Sequence, residues 1–200
     1  MMTSNNPPPA TAKFLEQERF LNAAASSGLQ RKAFLAGPYI EIEKRPRKSK
    51  KNVASMLRFE LYQRLSNEGW VVTLGEYKEL IGASQSTFGR HNNSAAAEIA
   101  HARQKNLDAI VMLPSSPGSF LELGAFAHIG EICRKMIVII DRKYESHINY
   151  MNSGPVRVAK SLGADVVFEN YEDHESVWGI VAPFVEDRVH LKALESIIAP

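Results

Sequence analysis

A single cysteine, Cys133, stands among 200 residues. One thiol cannot close an intramolecular disulfide, and a zinc site built on several thiolates is excluded with it. Long apolar runs are missing too. None approaches the roughly 20 residues that a membrane helix needs, and the opening segment MMTSNNPPPATAKF has no apolar signal core. These absences predict a cytosolic protein, neither exported nor embedded. The chain also lacks a GxGxxG turn, a GxxxxGK[ST] phosphate loop and a GxSxG nucleophile elbow. Dehydrogenase, kinase-like and α/β-hydrolase readings lose support accordingly. His91, His101 and His128 share no ligand spacing and read as surface or satisfied histidines, so neither a metal nor a resident cofactor is expected.

What is present is ordinary for a globular protein: 44% apolar and 23% charged residues. This length favours one domain. Residues 1–30 divide into a polar, proline-rich arm and a short helix over Thr11 to Ala25, with Phe14, Phe20 and Leu21 as its apolar contacts. Residues 31–200 form the main domain. The net charge of +2 says less than its distribution. Lys44, Arg45, Arg47, Lys48, Lys50 and Lys51 crowd one short stretch, KRPRKSKK. Such a run is either a solvated loop or a patch for the phosphates of a nucleotide or nucleic acid.

Apolar segments then alternate with helical patterns. Ala33–Ala36, Trp70–Leu74, Asp108–Leu113, Met136–Ile140 and Asp165–Phe168 read as strands, apolar on both faces. Val53, Met56, Leu57, Leu61 and Leu65 recur at helical spacing over Asn52 to Glu68, with Gly69 as a stop. Gly75 to Asn93 is a long connection without clear period. Ser94 opens a helix towards Asn106. Ser119 opens another that runs past Phe126 to Cys133. Asn152-Ser153-Gly154-Pro155 reads as a loop, and Asp173 to Ile198 as a helix broken at Pro183. The pattern predicts an α/β fold: a five-stranded, mostly parallel sheet flanked by helices, in the flavodoxin- or Rossmann-like order 2-1-3-4-5. Ligands in such sheets bind beyond the carboxyl ends of the strands, where the strand order reverses. The loops that fall there are Gly37-Pro38-Tyr39 and Pro114 to Ser119.

Those two loops are also the most unusual in the chain. Gly118 admits a close approach, because it has no Cβ. Ser119, at a helix start, leaves backbone N–H groups facing the crevice. Glu122 follows one turn later. Ser119-x-x-Glu122 also fits a capping box, in which the glutamate only satisfies a backbone N–H. Tyr39 is either a ligand-facing ring or an aromatic packed on the sheet edge. Glu98 reads as a solvated helix position, Cys133 as buried packing, and Asp108 as a structural acid at a strand start.

FLAGPYIE at Phe34 to Glu41 and DAIVMLPSSPGSFLELGAFA at Asp108 to Ala127 resemble the nucleoside 2-deoxyribosyltransferase-like superfamily. They are most similar to its retron-associated effector branch, which NYMNSGPVRVAKSLGADVVFENYED at Asn149 to Asp173 also resembles. The resemblance implies cleavage or exchange of a base on a ribose or deoxyribose. Glu122 is the implied nucleophile. Gly37, Pro38 and Tyr39 would lie against base or sugar, and Ser116, Gly118 and Ser119 would hold hydroxyls or a phosphate. Asn152 would take the part of an asparagine that a neighbouring subunit contributes. The implied substrate is a nucleoside, a nucleotide or NAD, and the implied setting an antiphage effector with a nucleic-acid partner in a homo-oligomer. The aspartates that the transferases use near the base are not evident, which favours hydrolysis over base exchange. The alternative is a binding module that senses a nucleotide without turnover.

Overall fold

The computed structural model describes residues 30–75, 94–147 and 149–198. The expected N-terminal arm and short helix, His91, and most of the Gly75 to Asn93 connection lie outside the described residues. Five strands form one sheet: β1 (Lys32–Ala36), β2 (Val71–Thr73), β3 (Ala109–Met112), β4 (Met136–Asp141) and β5 (Asp165–Glu169). Every pairing is parallel and the order is 2-1-3-4-5. The helices are α1 (Val53–Asn67), α2 (Ser94–Ala102), α3 (Pro117–Phe126), α4 (Gly130–Cys133), α5 (Arg157–Ser161) and α6 (His174–Ile198).

The alternating side chains of each strand feed two separate cores. Ala33, Leu35, Val111 and Ile139 face Leu57, Leu61 and Leu65 of α1 and Val177, Val181 and Val185 of α6. Phe34, Ile110, Met112 and Val138 face Leu123 and Phe126 of α3, with Cys133 and Ala159 beyond. A sheet covered on both faces explains why the strands read as unbroken apolar runs. Asp108 has the structural role expected: its Oδ2 accepts from the Lys32 N–H at 2.7 Å, tying the starts of β1 and β3 together.

Three local expectations are corrected. The helix expected from Ser119 to Cys133 is two helices, parted at Ala127–Ile129, where Ile129 takes an extended conformation before Gly130. Asn152-Ser153-Gly154-Pro155 is not a loop but part of a wide helical turn, Asn152–Val156, that runs into α5. Pro183 does not break α6. Its ring and Gly179, four residues earlier, are both exposed. The carbonyl freed by the missing N–H therefore faces water, and the helix tolerates it.

Candidate active site

The crevice begins where β1 and β3 end. Leu113 donates its N–H to the Ala36 carbonyl at 2.9 Å. Beside it, a Cβ on Gly37 would stand 3.1 Å from the Leu113 Cβ and 3.2 Å from the Arg58 Cδ, so glycine is what allows the two loops to touch. Pro38 is half-buried, while Tyr39 is 66% exposed and stands clear of the sheet. The reading of Tyr39 as an aromatic packed on the sheet edge is overturned. The next residue, Ile40, is buried and anchors the loop.

Arg58 holds this turn from beneath, a role that the apolar pattern of its helix does not announce. The residue is buried at 1% exposure on the core side of α1. Its Nε and Nη2 donate to the Leu35 carbonyl at 3.2 and 2.6 Å, and its Nη1 to the carbonyls of Gly37 and Pro38 at 3.2 and 2.6 Å. The β1–β2 pairing ends at Phe34 and Thr73. The Leu35 carbonyl therefore lies one residue beyond the last paired position of β2, and Arg58 supplies the donors there. The signal that could have found it is an arginine set within the stripe of Leu57, Leu61 and Leu65.

On the β3 side, Ser116 rather than Ser119 caps α3, with Pro117 in the first helical position. Ser119 Oγ accepts from the N–H groups of Ser115 and Ser116, both at 2.9 Å, and donates to the Ser116 carbonyl at 3.0 Å. The Ser119 N–H reaches Ser116 Oγ at 3.3 Å. Two expectations fall with this geometry. Glu122 is not the acid of a capping box, because the box is closed by Ser116 and Ser119. Ser119 does not face a ligand, because it is buried and its hydroxyl builds the turn. Gly118 is exposed, and a Cβ there would meet nothing within 4 Å, so the space beside the start of α3 is open.

Glu122 points instead towards the end of β2. A Cβ built on Gly75 would lie 3.4 Å from Glu122 Oε1 and 2.7 Å from Glu98 Oε1. Both carboxylates thus converge on one small volume from α3 and α2, and both residues are half-buried. The reading of Glu98 as a solvated helix position is overturned. Gly75 is buried, and the absence of its side chain makes the room that these acids occupy. Behind them His101 is buried, with Nε2 2.7 Å from Thr73 Oγ1. Burial pulls this imidazole down to about 4, aided by the charges of Lys135 and Lys32, so it is neutral at physiological pH. Its Nε2 is satisfied by Thr73. His128 is exposed.

Asn152 and Cys133 are both engaged by backbone carbonyls of their own chain. Asn152 donates through Nδ2 to the carbonyls of Tyr144 and His147, both at 2.8 Å, and so ties its own loop. Cys133 is buried, with Sγ 3.5 Å from the carbonyls of Phe126 and Ala127, and burial pushes its thiol up. It is packing. The basic run forms an exposed loop; Arg45, Lys48 and Lys50 line a concavity, and Lys44, Arg47 and Lys51 do not. No helix among the described residues is long and apolar enough to cross a membrane.

Fold and site together define a parallel α/β protein with two carboxylates gathered beyond the carboxyl edge of its sheet. The family model of the STM3845 retron effector protein matches residues 75–198, more than half of the chain, and the chain belongs to that family. Among curated proteins, it is 43% identical over 61 residues to the "Retron Ec86 putative ribosyltransferase/DNA-binding protein" of Escherichia coli. It is 29% identical over 79 residues to the "Retron Ec73 putative ribosyltransferase/DNA-binding protein" of the same organism. These matches cover 30% and 40% of this chain, and only 20% and 25% of the two relatives.

Proposed function

We infer that this retron effector is an N-glycosidase that breaks the bond between a base and the C1′ of a nucleoside, a nucleotide or NAD. The observation that carries the reading is the meeting of Glu122 and Glu98 around Gly75. A departing base leaves positive charge on C1′ and the ring oxygen. A carboxylate held at that carbon stabilises the charge or bonds to it, as in retaining glycosidases. Distances of 3.4 and 2.7 Å from a common point put the two Oε1 atoms at most about 6 Å apart. That bound is compatible with the about 5–5.5 Å between the carboxyl groups of retaining enzymes.

Glu122 is the acid assigned to C1′. Glu98 is the second acid: it hands a proton to the leaving nitrogen of a nucleoside or nucleotide base, and for NAD, whose nicotinamide leaves neutral, it holds a sugar hydroxyl and the proton of the attacking water passes to solvent. Water adds its hydroxyl to C1′; for a nucleoside or nucleotide its proton returns to the acid pair, and the products are free base and sugar. Tyr39 is available to stack on the base, and the open space beside Gly118 admits a phosphate or sugar edge. The nucleoside 2-deoxyribosyltransferase resemblance and the word ribosyltransferase in both relatives' names support this chemistry. The reading as a non-catalytic sensor loses its main motive once Ser116 and Ser119 cap α3 without Glu122.

The proposed setting is antiviral defence, in which base release from a common nucleotide stops the host cell. DNA-binding in the relatives' names supports a nucleic-acid partner, for which Lys44, Arg47 and Lys51 offer exposed phosphate contacts. The test incubates the purified chain with nucleosides, nucleotides and NAD and detects liberated base by mass. Glu122→Gln is expected to keep the fold and to lower base release at least a hundredfold. Equal base release by that variant ends the reading. A second free base added to the mixture separates hydrolysis from exchange.

A further inference from the structure

A second concavity lies on the other side of the sheet from the two carboxylates. It encloses about 860 Å³ between the basic loop, the first turn of α1 and the start of α6. This is within the range of small-molecule sites, about 300–1,000 Å³. Its three kinds of wall are chemically distinct. Arg45, Lys48 and Lys50 present positive charge along one side. Lys48 and Lys50 make no ion pair among the described residues, and Arg45 stands 3.7 Å from Glu60. Pro46, Val53 and Met56, all half-buried, give an apolar strip. Glu172 and His174 complete the lining.

We propose that this groove is a binding site for a single nucleotide, separate from the Glu122 crevice. Like charges gathered on one wall repel each other, and an anionic group between them removes that repulsion. A phosphate suits the charge and the donor types of one arginine and two lysines. The apolar strip suits the face of a base. Glu172 suits a ribose hydroxyl, the task that a carboxylate performs in dinucleotide folds. The negative charge of Glu172 in the lining also opposes a second phosphate, so the walls favour a mononucleotide over a continuing strand. The occupant is bound and not cleaved there. Val53 belongs to α1 and packs against the core of Leu57 and Val177, whereas Glu122 belongs to α3, whose Leu123 packs into the opposite core.

The test titrates the full-length chain with adenosine 5′-monophosphate, adenosine, and a fluorescent ten-residue thymidine oligonucleotide. Glu122→Gln is carried throughout, so that turnover does not consume the probe. Lys48→Glu with Lys50→Glu is compared with Lys44→Glu with Lys51→Glu, which changes the net charge of the same loop equally. The groove pair is expected to weaken adenosine monophosphate binding about tenfold or more, since removing one charge-assisted hydrogen bond has an effect of that order. The control pair is expected to weaken it less than twofold, and adenosine is expected to bind at least tenfold more weakly than the monophosphate. Lys48→Gln with Lys50→Gln gives the same reading should charge reversal disturb folding, which a thermal melt checks. Equal losses in the two pairs mean a diffuse field and overturn the proposal. So does a monophosphate that fails to bind at millimolar concentration, or an oligonucleotide that alone responds to the groove pair.

Discussion

Replacing Arg58 with methionine removes a charge that the turn after β1 is built around. Four N–H donations to the carbonyls of Leu35, Gly37 and Pro38 disappear, two of them at 2.6 Å. A buried acceptor left without a donor costs about 1–3 kcal/mol. Three such carbonyls, with water reaching the outer two, give a loss of about 3 kcal/mol or more. Methionine fills much of the same volume, so the loss reports the hydrogen bonds and not a cavity. That is a large part of the about 5–15 kcal/mol of a typical domain. At this chain length it lowers the melting temperature by about 6–12 °C. Urea unfolding with an unchanged slope is the assay, because it separates stability from compactness. Arg58→Lys keeps the charge, but one ammonium on a flexible stem cannot serve three carbonyls in the guanidinium's fixed fork, so an intermediate loss is expected. A loss below about 1 kcal/mol for Arg58→Met, at equal slope, refutes the view that this side chain substitutes for a longer β2.

Three further outcomes are expected. Gly75→Ala places a methyl 2.7 Å from Glu98 Oε1, so the carboxylate swings aside; stability should change by less than about 1 kcal/mol while base release falls tenfold or more. Full activity in that variant removes Glu98 from the site. His101 gives a pH signature. Its folded value, about 4, lies below its ordinary 6.5, so the unfolded chain takes up the proton first. The stability due to neutral burial is full above pH 6.5 and is lost progressively as the pH falls towards 4, by about 3 kcal/mol in all. His101→Asn should flatten that slope in urea titrations, and an unchanged slope rejects the assignment. Gly118→Ala adds a methyl to open space and should leave the melt unchanged; a rise in KM with it would place the substrate beside that residue.

The strands were legible because the sheet is buried on both faces, and that demands the unbroken apolar runs seen at DAIVML and MIVII. Their order followed from alternation with helices. Helix ends were less legible. Ser116 and Ser119 are equally good caps by residue type, and the deciding clue was Pro117, whose missing N–H suits the first helical position. The NSGP stretch has loop composition, yet Pro155 is carried inside the wide turn Asn152–Val156, where the regular i→i−4 ladder is already interrupted. Glu122 drew attention through its motif. Glu98 did not, because its approach to Glu122 depends on α2 being brought beside α3 and on Gly75 leaving the space between them. Arg58 was illegible for a related reason: hydrophobic periodicity discounts a charged residue, although a guanidinium is the side chain that can answer several backbone carbonyls at once.

The one cysteine supplies a built-in clock for local opening. Cys133 is sealed between α3 and β4, and burial keeps its thiol from ionising readily. An aromatic disulfide reagent should therefore modify the native chain only when α4 lifts away, at a rate set by that opening multiplied by the intrinsic reactivity of a free thiolate. Comparing the native rate with that in denaturant gives the free energy of this one movement. Repeating it with nucleotide present shows whether occupancy of either concavity is felt at the far side of the domain.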